Sequence, residues 1–243
     1  MRITYVGHAT VVIELDGTRL ITDPVLRGRI AHLHRHAPVD DADLARLDAA
    51  LISHRHMDHL DRRSLRRLGE VPVIAPAGSA RYLKRWTVTE MVAGDRTRVG
   101  ALEVLATHAE HEGRRYPPLG AATPALGYRI DGSRSVYFAG DTELFEGMAE
   151  IGRPGLDLAL LPVSGWGPRL GPGHLDAAAA ARALALLQPK VAVPIHWGTL
   201  SSPAVVGGRG PSAKAAHAFA ELAATEAPAV RVEVVPPGGT LEL

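Results

Sequence analysis

The stretch ISHRHMDHL, residues 52–60, places three histidines and one aspartate within six positions, directly behind an apolar run. The whole chain has 12 histidines and no cysteine, so a metal ion would have to be held by imidazole and carboxylate groups. His54, His56, Asp58 and His59 offer such groups, and the combination suits Zn²⁺ and similar divalent ions. A polar surface loop is the alternative interpretation.

Further candidate ligands follow other apolar runs of the sequence. ATHAEH contains His108 and His111, YFAGDT contains Asp141, and VPIHWGT contains His196. Each polar group comes just after a run of strand-forming residues, and strand ends can converge on one edge of a sheet. One histidine from ATHAEH, together with the other six donors, predicts a site for two metal ions.

Short apolar runs that resemble strands dominate the chain and alternate with five helical segments. Several of these runs are apolar throughout, which is typical of strands buried on both faces. Asp16-Gly17 predicts a tight hairpin, and Asp176 is a candidate N-cap. The pattern predicts two packed sheets with helices outside them. The predicted helices span residues 62–68, 79–86, 143–151, 175–187 and 212–224.

Composition favours a small-molecule partner. Lys+Arg 27 against Asp+Glu 26 leaves a net charge of +1, which gives no general attraction to nucleic acid or to a membrane surface. The sequence shows no repeat, low-complexity linker or signal segment, and no apolar run reaches the ~18 residues of a membrane span. We therefore expect one domain over residues 1–243, in the cytoplasm; the oligomeric state stays open.

The segment HRHMDH, residues 54–59, resembles the His-x-His-x-Asp-His motif of the metallo-β-lactamase fold superfamily, and His111, Asp141 and His196 continue the series. The blocks VGHATVVIELDG, LITDP, FAGDT and PIHWGT are similar to the branch that holds L-ascorbate-6-phosphate lactonase and N-acyl-phosphatidylethanolamine phospholipase D. The resemblance implies an α+β fold, a four-layer αβ/βα sandwich with two metal ions at one edge of the sheets.

The resemblance also implies a ligand set. His54, His56 and His111 would bind one ion, Asp58, His59 and His196 the other, and Asp141 would bridge them, with a hydroxide between the ions. Relatives often read Thr-Pro-Ala-x-His where this chain reads THAEH, so His111 matches the motif's histidine and His108 takes the proline's place. Zinc is the first candidate metal for such histidine and aspartate ligands, and manganese or iron could also bind to them.

Several residues are candidates for catalysis or substrate selection. Asp58 would orient the hydroxide. His174, in the loop SGWGPRLGPGHLD, would protonate the leaving group or else face solvent. His8 would hold a loop or contact substrate, and the histidine-containing segment 29–38 would form a flexible loop over the site. Arg114 and Arg115 would recognise phosphate or simply lie at the surface.

The predicted function is hydrolysis of an ester, lactone or phosphodiester of a small molecule. A β-lactam is disfavoured, because the better-known dizinc β-lactamases carry a cysteine where this chain has Asp141. Two other functions stay open: a metal-bound sensor or scaffold without turnover, and a nucleic-acid-processing nuclease, which the balanced charge makes the weaker alternative.

Overall fold

The structure, a computed structural model, describes residues 1–115, 123–165, 170–202 and 212–243. Their strands form two sheets of seven strands and one sheet of three. The first sheet contains, in spatial order, β17 (Gly239–Glu242), β1 (Arg2–Gly7), β2 (Thr10–Leu15), β3 (Thr18–Thr22), β6 (Ala49–Leu51), β7 (Val73–Pro76) and β8 (Val88–Met91). It is antiparallel from β17 to β3 and parallel from β3 to β8.

The second large sheet mirrors this division into a parallel and an antiparallel half. It contains, in spatial order, β16 (Arg231–Val232), β14 (Pro189–Ile195), β13 (Leu156–Pro162), β12 (Ser135–Phe138), β11 (Pro124–Asp131), β10 (Leu102–Glu112) and β9 (Arg96–Val99). Strands β16 to β12 are parallel, and β12 to β9 are antiparallel. The small sheet pairs β4 (Arg29–Ile30) with β5 (Leu33–Arg35) and β5 with β15 (Leu200–Ser201).

Four α-helices lie within the described residues: α1 (Arg62–Leu68), α2 (Met148–Gly152), α3 (Ala177–Leu187) and α4 (Lys214–Glu226). In this part of the chain no helix combines the length and apolar character that crossing a membrane requires. Asp176 caps α3, as expected, because its carboxylate accepts a hydrogen bond from the Ala179 backbone N–H at 2.7 Å.

Alternating side chains of the first sheet enter two different cores. In β2, Val11 and Ile13 pack into a core shared with the second sheet, α3 and α4, whereas Val12 packs into a second core together with Leu65 of α1. Successive strand side chains point to opposite faces, so one strand serves both cores. The layers are therefore helix, sheet, sheet and helix.

Two hydrogen bonds join the large sheets at the edge where β6 ends. The Tyr128 hydroxyl of β11 donates to the Ile52 carbonyl at 2.7 Å, and the Leu126 N–H donates to the Ser53 carbonyl at 2.9 Å. The predicted hairpin is also present: Asp16 and Gly17 both have positive φ, at 49° and 76°, between β2 and β3. The start of the loop after β6 is thus fixed against the second sheet.

Three expectations about local structure are wrong. The segment 79–86 forms only a 3₁₀ turn, Ala80–Tyr82, which contacts with distant residues hold in place: the Glu90 carboxylate accepts from the Ala80 N–H, and the Arg55 guanidinium packs on the Tyr82 ring. Residues 143–147 are not helical, and the helix begins only at Met148. The segment expected as a flexible loop at 29–38 contains the β4–β5 hairpin, since β5 finds a partner in β15.

The packing of α2 on α3 gives a stability prediction. A Cβ on Gly152 would lie 2.2 Å from the Leu187 carbonyl oxygen, and this backbone atom cannot easily move away. We expect Gly152→Ala to lower the free energy of unfolding by ~1–3 kcal/mol, measured by urea denaturation. Gly28→Ala is the control, because a Cβ there meets nothing within 4 Å; it should change stability by less than ~0.5 kcal/mol. Equal stability of both variants would contradict the described contact.

Candidate metal centre

The loop between β6 and α1 brings four candidate ligands to the edge of the sheets. His54 and His59 are fully buried, while His56 and Asp58 are partly exposed. The His56 carbonyl accepts hydrogen bonds from the N–H groups of His59, at 3.1 Å, and Leu60, at 2.9 Å. This turn directs the side chains on either side of it toward one region.

Three imidazole nitrogens converge on one side of that region. His54 Nε2 lies 2.9 Å from His56 Nδ1, and His111 Nε2 lies 3.2 Å from the same atom. His111 belongs to β10, which is longer than predicted and extends to Glu112. The three nitrogens have the spacing of ligands around a common ion.

A second group of donors lies beside the first, and Asp141 lies between the two. Asp58, His59 and His196 offer ligand atoms within 4.8 Å of one another. Asp141 Oδ1 is 3.4 Å from His196 Nε2, and Asp141 Oδ2 is 3.1 Å from His59 Nε2. The same Oδ2 lies 4.0 Å from His54 Nε2, so this carboxylate faces both groups.

Four of the histidines use Nδ1 for a hydrogen bond directed away from the centre. His111 donates to the Gly173 carbonyl at 2.7 Å, and His196 donates to the Ser164 carbonyl at 2.6 Å. His59 donates to Asp23 Oδ2 at 2.7 Å, and His54 to Ser53 Oγ at 2.9 Å. A proton on Nδ1 leaves the Nε2 lone pair of each ring facing the centre, as metal ligation requires.

Asp23 is a residue of the centre to which the sequence pattern assigned no role. Its side chain is fully buried; Oδ1 accepts from the Ser53 N–H at 2.7 Å, and Oδ2 accepts from the Ser53 hydroxyl at 2.5 Å. The block LITDP contains Asp23 at the end of β3, next to β6 in the sheet. A carboxylate directly behind a buried strand was the signal that could have identified it.

Three residues of the centre have a left-handed backbone conformation, which is uncommon in residues other than glycine. The φ angles are 59° for His8, 34° for Asp23 and 64° for His196. Each is held by a backbone hydrogen bond: the His196 N–H donates to the His8 carbonyl at 2.7 Å, the His8 N–H to Thr199 Oγ1, and the Asp23 N–H to the Leu51 carbonyl. Such conformations persist where the surrounding structure imposes them, often at functional sites.

A close approach at Gly173 positions His111. Gly173 has φ of 80°, and a Cβ at this position would lie 2.6 Å from His111 Nδ1, the atom that donates to the Gly173 carbonyl. Only glycine leaves room for that contact. The loop before α3 therefore supports a candidate ligand on β10.

Burial and neighbouring charges set the protonation of the centre. Burial lowers the pKa of His56 to about 4 and that of His196 to about 3, and it holds the pKa of His54 well below its ordinary value. Burial also lowers the pKa of His59, but Asp141 and Asp23 raise it more, so the net value is well above the ordinary one. A metal ion at His59 would therefore have to compete with a proton for Nε2.

The arrangement fits a metal cluster. His59 Nε2, His196 Nε2 and Asp141 Oδ1 are buried atoms with no hydrogen-bond partner among the described residues. Buried polar atoms in native proteins are nearly always paired, so three unpaired atoms in one place indicate a site for a bound ion. Imidazole and carboxylate are the ligand types that zinc and similar ions accept.

His8, His108 and His174 occupy different surroundings. His8 is buried, and its Nε2 lies 3.2 Å from Asp58 Oδ2, so it supports a candidate ligand. His108 is 58% exposed and pairs with Glu110 outside the cluster. His174 Nε2 faces the centre, 3.4 Å from Asp141 Oδ2, and Asp141 overcomes the effect of burial and raises the His174 pKa. Residues 166–169 of the preceding loop lie outside the described residues.

The Arg115 side chain supports the loop after β6. Its Nη1 donates to the carbonyls of Arg55 at 3.0 Å and Leu60 at 2.5 Å. It also lines a cavity at the centre that the β4–β5 hairpin borders on the other side. The segment 29–38 therefore adjoins the site, as expected, although it does so as a hairpin.

Comparison with known proteins identifies the family. A family model described as a beta-lactamase superfamily domain matches residues 18–197. The chain belongs to this superfamily. A UPF0173 metal-dependent hydrolase of Opitutus terrae is 34% identical over 256 residues, with 100% of both chains covered. An N-acyl-phosphatidylethanolamine-hydrolyzing phospholipase D 1 of Caenorhabditis elegans is 29% identical, over 81% of this chain and 63% of that protein.

The solved structure of Igni18, a metallo hydrolase from Ignicoccus hospitalis, superposes with a TM-score of 0.76 at 25% identity, covering 100% of this chain and 98% of that one. The four-layer fold expected from the sequence is confirmed, and the chain is a metal-dependent hydrolase of the superfamily.

The positions of His108 and His111 predict different responses to substitution. His111→Ala removes one of three converging nitrogens, so bound metal after desalting should fall, as measured by elemental analysis. His108→Ala is the matched control from the same strand, and its metal content should equal that of the wild type. Loss of metal in His108→Ala with retention in His111→Ala would reverse the assignment.

The Asp23 contacts predict an indirect effect on metal binding. Asp23→Asn keeps one acceptor oxygen but replaces the other by an NH2 group, which donates and cannot accept, so the hydrogen bonds from Ser53 and His59 can no longer all be made and His59 loses part of its support. We expect metal affinity to fall by ~10–100-fold in a competitive chelator titration. Asp95→Asn, at an exposed loop position, should leave the affinity unchanged. Wild-type affinity in Asp23→Asn would show that this support is dispensable.

Proposed function

We propose that this chain is a dinuclear hydrolase that acts on an ester, lactone or phosphodiester of a small molecule, and that residues 1–243 work as one domain. The observation that carries the proposal is the position of Asp141 between two groups of three donors. One ion would be held by His54, His56 and His111 and the other by Asp58, His59 and His196, with the Asp141 carboxylate shared between them. Zinc is the first candidate, and manganese and iron fit the same ligands.

Two divalent ions at this centre would acidify water to give a nucleophile near neutral pH and would neutralise charge on the attacked oxygen. The protein's own contribution is orientation. Asp58 has one oxygen 3.2 Å from His8 Nε2, so this buried histidine fixes the carboxylate that would orient the nucleophile. The outward hydrogen bonds of His54, His59, His111 and His196 fix those four donors in the same way.

His174 would protonate the leaving group. Its Nδ1 lies 3.1 Å from the Gly171 carbonyl and 3.0 Å from the Pro172 carbonyl. Because carbonyl oxygens only accept hydrogen bonds, Nδ1 carries a proton in both contacts. Nε2 then faces the centre and can carry the second proton of the imidazolium, stabilised by Asp141. A substrate bound at the centre would lie within reach of this donor.

The relatives support the class of substrate without fixing it. The Caenorhabditis elegans relative is named for hydrolysis of a phospholipid phosphodiester, and the Opitutus terrae relative is named only a metal-dependent hydrolase. The test is a panel of generic carboxylic esters, lactones and phosphodiesters, assayed with protein whose metal content has been measured. A metal-loaded protein that cleaves none of the three classes would favour the sensor or scaffold alternative.

The shared position of Asp141 predicts that the ligands act as a unit. His56→Ala and Asp141→Ala should each remove metal and abolish most turnover, while far-ultraviolet circular dichroism should show an intact fold. The measurements are metal stoichiometry and kcat/KM on the best panel substrate. Unchanged turnover at ~2 ions per chain in both variants would exclude the assignment.

The position of His174 predicts a loss that depends on the leaving group. His174→Ala should lower kcat by ~10²–10⁴-fold for a substrate with a poor leaving group, with metal content intact. The loss should shrink for a nitrophenolate, which departs without protonation. An equal loss for both leaving groups would point to a structural role.

A further inference from the structure

We propose that the substrate carries a short, uncharged apolar group next to the bond that is cleaved, and that Met57 and the β4–β5 hairpin select it. This inference rests on the proposed hydrolytic function of the same site. It names the substrate feature that the described surface around the candidate metal centre would recognise.

The cavity in front of the candidate ligands has two chemically different sides. It measures about 380 Å³, and His56, Asp58, Asp141 and His174 line one side. The apolar residues Ile30, Ala31, Leu33 and Met57 line the other side, together with His32 of the hairpin turn. A substrate whose reacting group contacts the ligands would place its adjoining substituent against these apolar side chains.

The hairpin side of the cavity is preformed. Ile30 and Leu33 are 2% and 4% exposed, because they pack with Val25 and Leu200 in a separate small core. The Arg35 guanidinium fixes the hairpin by donating to the carbonyls of Val6, Val25 and Ala37. A wall held in this way would need little reorganisation when a ligand binds.

Met57 differs from the other large apolar residues of the described chain. It is 36% exposed, and only Val92 and Leu222 share this degree of exposure among described large hydrophobic residues. Met57 alone of these three lines the cavity, where it lies between the candidate ligands His56 and Asp58. An unbranched thioether side chain adapts to apolar partners of different shape.

The charges around the cavity favour an uncharged substituent. Arg115 is the only lysine or arginine among the described lining residues, and its Nη1 donates to three backbone carbonyls of the loop after β6. On the hairpin side, the His32 imidazole is the polar group among those lining residues, and none of them there carries a carboxylate or an ammonium group. The volume is at the lower end of the ~300–1,000 Å³ of small-molecule pockets, which fits a short chain better than a long lipid tail.

The test uses straight-chain alkyl hydroxamates from two to eight carbons, which chelate metal ions and do not need to be hydrolysed. With metal-loaded protein, calorimetry should show affinity rising about fourfold per methylene until the apolar surface is covered, and then levelling off. Dissociation constants independent of chain length in the wild type would overturn the inference.

Met57→Gln keeps the side-chain length but makes its end polar, so the gain per methylene should fall to less than about twofold. Met57→Leu should retain most of the wild-type gain, and Leu222→Gln, at an exposed position outside the cavity, should retain all of it. Metal content is measured for every variant before titration. If Met57→Gln showed the same increase in hydroxamate affinity per methylene as the wild type, the role of Met57 would be overturned.

A matching series of p-nitrophenyl esters separates this inference from the proposed function. Ester kcat/KM should rise with acyl length in parallel with hydroxamate affinity. If hydroxamate affinity rose steeply with chain length in a protein that cleaves no ester, lactone or phosphodiester, the hydrolytic function would be rejected and the apolar site would be retained. If esters were cleaved efficiently but hydroxamate affinity did not depend on chain length, only the apolar site would be rejected.

Discussion

The buried carboxylate of Asp23 is the contact on which the candidate metal centre depends. It lies at the end of β3, accepts two hydrogen bonds from Ser53 at the end of β6, and accepts a third from His59. A buried charge is tolerated only when it is paired and fully hydrogen-bonded. These three contacts fix the start of the loop after β6 and the orientation of His59 together. Ser53 in turn accepts from His54, so one carboxylate orients two candidate ligands.

The same principle extends to the second sheet, where backbone carbonyls take the place of the carboxylate. The Gly173 and Ser164 carbonyls accept from the rings of His111 and His196, and both acceptors lie in the loop between β13 and α3. That loop also holds His174, so ligand support and the proposed proton donor share one segment. The left-handed conformations of His8, Asp23 and His196 show that the surrounding contacts, rather than local preference, determine the backbone here.

The candidate ligands and the β4–β5 hairpin are held rigidly, whereas the Met57 side chain can adapt to different substrates. The candidate ligands are held by buried hydrogen bonds, and the β4–β5 hairpin is held by its own small core. Met57, an exposed and flexible side chain between two of the candidate ligands, is the adaptable element. A hydrolase arranged in this way can keep the geometry of the reacting group constant while the residues of one wall determine which substituents it accepts.

From the sequence alone, apolar periodicity predicted two packed sheets with helices outside them, and the HRHMDH motif supplied four candidate ligands, because both are local signals. The four-layer fold and the full set of seven candidate ligands were what the family resemblance implied. The sequence also determined the Asp16-Gly17 hairpin and the Asp176 cap, which depend on a few adjacent residues. The tertiary structure decided what depends on distant partners. The register of β10 against β11 shifts between Ala109 and Glu112, so simple alternation along the strand could not place His108 and His111. Their contacts with Glu110 and His56 did so. Likewise, Asp23 acquired its role only when β3 and β6 became neighbours, and the segment 29–38 became a hairpin only because β15 supplied its missing hydrogen-bond partner.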